Sequence, residues 1–262
     1  MHDREGRGVH RAFFRVVKEG RAMDATMYFL SKDCYVCNTQ GYWIVLNLSR
    51  DKYMCVTHAN LASIGSRIYG WQYRNDSIEN HQNLDDGRDR LMESLVAKGV
   101  LTCNSDEGKA FVESKNTVSE TAVTLPASIG PAKARFLNVA QFFLACAKMD
   151  WCLRKGELAL ALARIKRRRL RAGSSTSPLE DSKATRLIAI FKDLRPLYPR
   201  PYLCLFDSLA LLEFLAGYHS YPRIVFGVVA DPFQAHCWLQ EADTLLNDDL
   251  ERVGRYRPIL SV

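Results

Sequence analysis

Three residues towards the end of this 262-residue chain combine into recognisable chemistry, Cys204, then His236, then Asp248. A thiol attacks a carbonyl efficiently only as the thiolate, so it needs a base, and the base needs a third group that holds its far nitrogen in the right tautomer. The chemistry on offer is acyl transfer through a thioester. Arg195 to Pro201 carries three prolines in seven residues and is a poor helix interior, whereas Leu205 to Ala216 is almost unbroken in helical character. Cys204 is therefore expected in the first turn of a helix, where unpaired N–H groups and the positive end of the dipole favour thiolate. Arg223 to Val229 reads as a buried strand, Ala235 to Leu239 as a second and Thr244 to Asn247 as a third, with a hairpin turning through Glu241, Ala242 and Asp243. His236 and Asp248 would lie on its neighbouring strands.

Other residues compete for these roles. A cysteine on an apolar helix behaves as a small hydrophobe, which is the reading for Cys146 and Cys152. Cys237 directly follows His236, so strand alternation sends it to the opposite face, outside the site and into packing. Asp231, Asp243 and Asp249 are alternatives to Asp248; Asp243 sits in the turn and Asp249 has the opposite strand parity.

A helix-borne Cys facing a strand-borne His is the arrangement of papain-like and transglutaminase-like enzymes. The words around the triad are Cys-Leu-x-x-Ser-Leu-Ala-Leu from Cys204, Gly-Val-x-x-x-Pro-Phe-x-Ala-His-x-Trp-Leu from Gly227, and Leu-Leu-Asn-Asp ending at Asp248. From Tyr202 to Asp248 they resemble the B protein of lasso-peptide biosynthesis, with Pro232, Phe233, Trp238 and Asn247 matching beside the three polar residues. The resemblance implies a transglutaminase-like cysteine protease that removes the leader from a ribosomally made precursor peptide. It selects Asp248 as the third member, and it implies a partner, an asparagine-synthetase-like cyclase that closes the macrolactam ring. The Cys204 backbone N–H is a natural oxyanion donor. No G-x-x-x-x-G-K-[ST] loop occurs, so any use of ATP is assigned to the partner and no cofactor is expected on this chain.

Composition is that of an ordinary soluble protein, 47% hydrophobic and 25% charged, with a formal net charge of +7. The basic excess is gathered in residues 1–22 and in Arg164 to Arg171. An anionic partner is compatible with it, an acidic leader peptide included. No run reaches the length of a membrane span and the N-terminus lacks the apolar core of a signal peptide, so a cytoplasmic location and reduced thiols are expected. Cys34-x-x-Cys37 has no second pair at ligand spacing, and its alternation reads as strand, so no metal is expected. The Lys166 to Arg169 run closes a helix and reads as a solvated end favoured by the dipole, with docking of an acidic surface as the alternative.

The expected architecture is α+β, an N-terminal winged-helix-like unit followed by a transglutaminase/papain-like cysteine protease domain. Residues 1–22 read as a disordered basic arm, or as an upstream extension with translation beginning at Met23 or Met27. Over 23–103, Met27 to Leu30, Tyr42 to Leu48 and Lys52 to Val56 are β-like, with turns at Gln40-Gly41 and Ser49 to Asp51, followed by helices at His58 to Tyr69, Asp76 to Asn83 and Asp86 to Lys98 with Gly99 as the stop. The last helix carries about as many acidic as basic side chains, which argues against groove reading and nucleic acid. Ile-Val-Leu-Asn-Leu, then Lys-Tyr-Met-Cys-Val, then a helix ending near Trp71, resembles the PqqD-like leader-recognition domain. That resemblance implies β-augmentation, a leader adding as a strand along Lys52, Tyr53, Met54, Cys55 and Val56, with side chains entering a groove against the third helix. Residues 104–130 read as a linker whose property is reach, and 131–262 as the protease domain, with helices at Ala132 to Asp150, Gly156 to Arg171 and Asp181 to Leu194, a break at Gly173 to Pro178, and then the Cys204 helix. Two other functions fit the same residues, a transglutaminase- or amidase-type acyl transferase, and a non-catalytic peptide- or DNA-binding adaptor.

Overall fold

The computed structural model describes residues 27–72, 85–113, 123–124, 134–172 and 181–262. Residues 1–22, the Asp76 to Asn83 helix, the Gly173 to Pro178 break and most of 104–130 lie outside them.

Three sheets organise the described residues. Strands β2 (Cys34–Thr39), β3 (Tyr42–Asn47) and β4 (Lys52–Thr57) form an antiparallel meander in the order β2-β3-β4. The β2–β3 turn places Gln40 and Gly41 both at positive φ, 51° and 78°, the two-residue hairpin geometry that matches strand twist. The first β-like run expected for this sheet does not join it. β1 (Phe29–Ser31) instead pairs with β5 (Leu101–Thr102) and β6 (Gly108–Lys109), and Cys34–Thr39, bound to β3 by its tight turn, takes the vacant place. Helix α1 (His58–Ile64) runs into a 3₁₀ turn at Gly65–Arg67, shorter than expected. Helix α2 (Asp85–Ala97) is followed by Gly99 at φ 68°, as its stop signal requires. The segment read as a linker begins inside this fold, since β6 pairs with β1 and Phe111 is buried beside Trp43 and Trp71.

The C-terminal half is a five-stranded sheet, β11 (Arg257–Ser261), β8 (Arg223–Val229), β9 (Gln234–Glu241), β10 (Thr244–Leu245) and β7 (Val123–Thr124), in that order. Helices α3 (Phe136–Arg154), α4 (Leu158–Ala172), α5 (Asp181–Leu194) and α6 (Cys204–Ala216) gather around it, with α6 packed on β9. The short helix α7 (Leu250–Val253) precedes β11. Helix α6 is apolar on nearly every side and buries Phe206, Leu209, Phe214 and Leu215, which makes it the central helix of the half.

The two halves share a hydrophobic interior. Because side chains alternate along a strand, Val36, Trp43 and Val45 face a cluster with α1 and α2, while Cys37, Ile44 and Leu46 face the cluster containing α3, α6 and β8. Polar contacts follow the same seam. Gln40 Oε1 accepts from the Ala230 and Asp231 N–H groups at 3.0 and 3.1 Å, and Glu113 accepts from Asn38 N–H and from Arg257.

Candidate active site

Cys204 opens α6. The residue before it, Leu203, is extended (φ −132°, ψ 126°) and gives no side-chain cap, so the N–H groups of the first turn remain available to an anion. The approach is held by Arg195, which is 4% exposed. Its Nε donates to Asp207 at 2.5 Å, and its remaining nitrogens donate to the carbonyls of Tyr198, Arg200 and Pro201. The guanidinium also lies over the Tyr202 and Phe206 rings. A buried cation with all three of its nitrogens engaged fixes the proline-rich loop, and with it the start of the helix.

His236 sits on β9, in register with Gly227 of β8, and is 5% exposed. Its ring rests against Trp238 and Tyr256, with centroids at 6.1 and 5.1 Å. Nε2 engages the Asp248 carboxylate in a short contact, which leaves Nδ1 as the nitrogen that can face the thiol. Asp248 lies past the end of β10, in a turn rather than on the third strand expected for it. Strand parity therefore does not separate it from Asp249; the latter is occupied instead as the N-cap of α7, accepting from the Arg252 N–H at 2.8 Å. Asp243 is exposed in the hairpin turn beside Ala242 at φ 47°.

The electrostatics make one unit of these groups. Hydrogen bonds from Cys237 and then His236, opposed by burial, hold the Cys204 thiol down at about 4. Burial works against a charged His236, yet hydrogen bonds to Asp248 and Cys204 bring it up to about 9. Burial raises Asp248, but its bonds from the His236 ring and the Asp249 N–H outweigh that and leave it lowered. Near neutral pH the site is a thiolate–imidazolium pair backed by a carboxylate.

Cys237 does not stand apart from this site. Its side chain hydrogen-bonds the Cys204 sulfur, and that bond, followed by burial, raises Cys237 well above the usual thiol value. Alternation does separate His236 from Cys237 along β9, but α6 covers this strand, and a thiol at the start of the covering helix meets both consecutive side chains.

Several contributors carry weaker sequence signals. Ser208 is a fully buried polar residue one turn after Cys204 on an apolar helix, a position where burial demands partners. Tyr53 packs against Phe233 with ring centroids at 5.5 Å; burial, then the charges of Cys237, Asp51 and Cys204, raises its phenol. Nothing in the local pattern foretells that contact. Of the strand offered as a recognition edge, Lys52 and Cys55 are exposed, Tyr53 and Met54 are half-buried and Val56 is buried. β4 has no second neighbour among the described residues. Exposed Tyr202, Leu203 and Phe233 flank the approach to Cys204 and His236.

Cys34 and Cys37, three residues apart on β2, face opposite clusters and cannot converge on one ion. Burial raises them to about 11 and 12 respectively. Among the described residues no group of three or more His, Cys, Asp or Glu side chains could hold a metal, and no helix is long and apolar enough to cross a membrane. In the Lys166 to Arg169 run, Arg168 is committed to Glu213 of α6 at 2.8 and 3.0 Å, so that helix end is partly docked inside the protein rather than wholly solvated.

A family model described as transglutaminase-like superfamily matches residues 150–261, and this segment is a transglutaminase-like domain. Such domains commonly have cysteine protease or acyltransferase activity. Comparisons with curated proteins and with solved structures gave no match.

Proposed function

We propose that this protein is a leader peptidase, which binds the leader of a ribosomally made lasso precursor and hydrolyses one peptide bond through Cys204, His236 and Asp248. The observation that carries the chemistry is the contact of His236 Nε2 with Asp248, set beside Cys204 at the uncapped start of α6, whose thiol is lowered by Cys237 and His236. In the reaction the Cys204 sulfur adds to the scissile carbonyl, the His236 imidazolium gives its proton to the leaving amine, and a thioester remains. Water, deprotonated by the now neutral His236, cleaves the thioester and releases the leader as a carboxylate. The Cys204 N–H serves the oxyanion.

Capture of the leader is assigned to the PqqD-like N-terminal unit, as a strand added along Lys52 to Val56. The contact between Tyr53 and Phe233 supports that placement, because it sets this edge beside the loop that leads into His236. The freed core peptide would pass to an asparagine-synthetase-like cyclase. The test is mass spectrometry of candidate precursors, encoded near this chain's gene, after incubation with the protein. Two fragments whose masses sum to the precursor plus one water are expected. Loss of ammonia with attachment of an amine would establish the acyl-transferase reading instead, and an unchanged precursor with Cys204 unreactive would leave an adaptor.

A further inference from the structure

Ser208 lies one helical turn beyond Cys204, and its hydroxyl donates to the Cys237 carbonyl at 3.1 Å. The same oxygen accepts from Asn247 Nδ2 at 2.9 Å, and Asn247 Oδ1 accepts the Leu239 N–H at 2.7 Å. Only the amide oxygen can take that backbone N–H, so the orientation of Asn247 is fixed and the direction of every bond in the chain follows. Each member is tied to one residue of the site. Ser208 shares a face of α6 with Cys204, Cys237 adjoins His236, and Asn247 adjoins Asp248.

This connection falls where the backbone provides none. The β9–β10 ladder ends at Leu245, paired with Gln240, and one further bond runs from Leu246 N–H to the Leu239 carbonyl. Beyond it the Asn247 side chain, instead of another strand, occupies the Leu239 N–H. We propose that Ser208 and Asn247 are positioning residues, a buried strut that holds the helix of the nucleophile, the strand of the base and the turn of the acid in one register. The inference rests on the reading of Cys204, His236 and Asp248 as the reacting groups. A shift of a few tenths of an ångström at any of the three would weaken the bonds that keep Cys204 ionised, so loss of the strut is read at the thiol itself.

The thiol faces a defined set of groups, His236 and Cys237 from β9, Asp207 from its own helix and Tyr53 from β4, with Asp248 behind His236. Neither strut residue adds a charge to them. The test is the rate of Cys204 alkylation by iodoacetamide from pH 3.5 to 9 on the full chain, located by peptide mapping, beside the thermal unfolding midpoint. Ser208→Ala and Asn247→Ala should each move the alkylation midpoint up by about one pH unit, tenfold in the thiolate equilibrium. The double variant should move it no further than the larger single change, as for two parts of one device. Leu162→Ala, a cavity in the same core away from the site, should lower the unfolding temperature and leave the midpoint in place. Unmoved midpoints in both strut variants, additive shifts in the double variant, or an equal shift in Leu162→Ala would each overturn the inference. A native protein whose Cys204 reacts no faster than Cys55 at pH 6 would overturn the functional reading and the inference with it; a reactive native Cys204 with unresponsive strut variants would overturn the inference alone.

Discussion

At the scale of single residues, Cys204 is held as thiolate by two donors rather than one, and this sets its pH window. Its thiol protonates below about 4 and the His236 imidazolium loses its proton above about 9, so peptide processing should show a bell between those limits, rising through the thiol midpoint and falling through that of the imidazolium. Rates of cleavage across pH 3.5 to 10 check both limbs. At pH 6 Cys204 should be alkylated far ahead of the exposed Cys55, since the Cys204 thiol is held down at about 4 while the Cys55 thiol is raised; peptide mapping decides this. Replacing His236 by Ala should cost activity as heavily as replacing Cys204, by a factor on the order of 10²–10⁴ or more, while Asp248→Asn should retain more activity, because an orienting group tunes the base without being it. Cys237→Ala should raise the alkylation midpoint of Cys204, and Cys237→Ser, which keeps a donor, should raise it less. The strand alternation that assigned Cys237 to the opposite face was sound, but it could not include the helix laid across β9, a fact held only by tertiary packing.

At the scale of elements, the strands around His236 leave no room for error. Gly227 is its cross-strand neighbour, and a Cβ there would come within 2.8 Å of the Tyr256 Cβ and 2.9 Å of the Trp238 ring, the two rings against which His236 rests. Gly227→Ala should therefore destabilise the protein by about 1–3 kcal/mol and lower turnover more than a stability loss of that size explains, measured by urea unfolding beside cleavage rates. Much of this region was legible in the sequence. The proline-rich approach and the apolar run after it locate the start of α6, the β-branched run locates β8, and α5 begins and ends at the expected residues. What was not legible depended on partners remote in the chain. Asp248 lies in a turn because β10 is only two residues long, and β1 left the meander because its neighbours, β5 and β6, come more than seventy residues later.

At the scale of the whole molecule, the shared core joins the half proposed to capture the peptide to the half proposed to cut it. Leu46→Ala, in the N-terminal sheet, should cost about 2–5 kcal/mol, and Cys146 and Cys237 should become open to alkylation at the same urea concentration as Cys34, because Leu46 belongs to the cluster that buries α3 and β9. Exposure of Cys34 well before the C-terminal thiols would show that the halves unfold separately. The Tyr53–Phe233 contact has a further consequence under the proposed function. A substrate pinned as an added strand along β4 advances by about 3.3 Å for each extended residue, while the gap from that edge to the Cys204 sulfur is set by rigid packing. The protein then acts as a ruler that counts residues out from its grip. Lengthening the precursor by two residues between the gripped stretch and the cut should move the scissile bond two residues along the sequence, whatever side chains are found there.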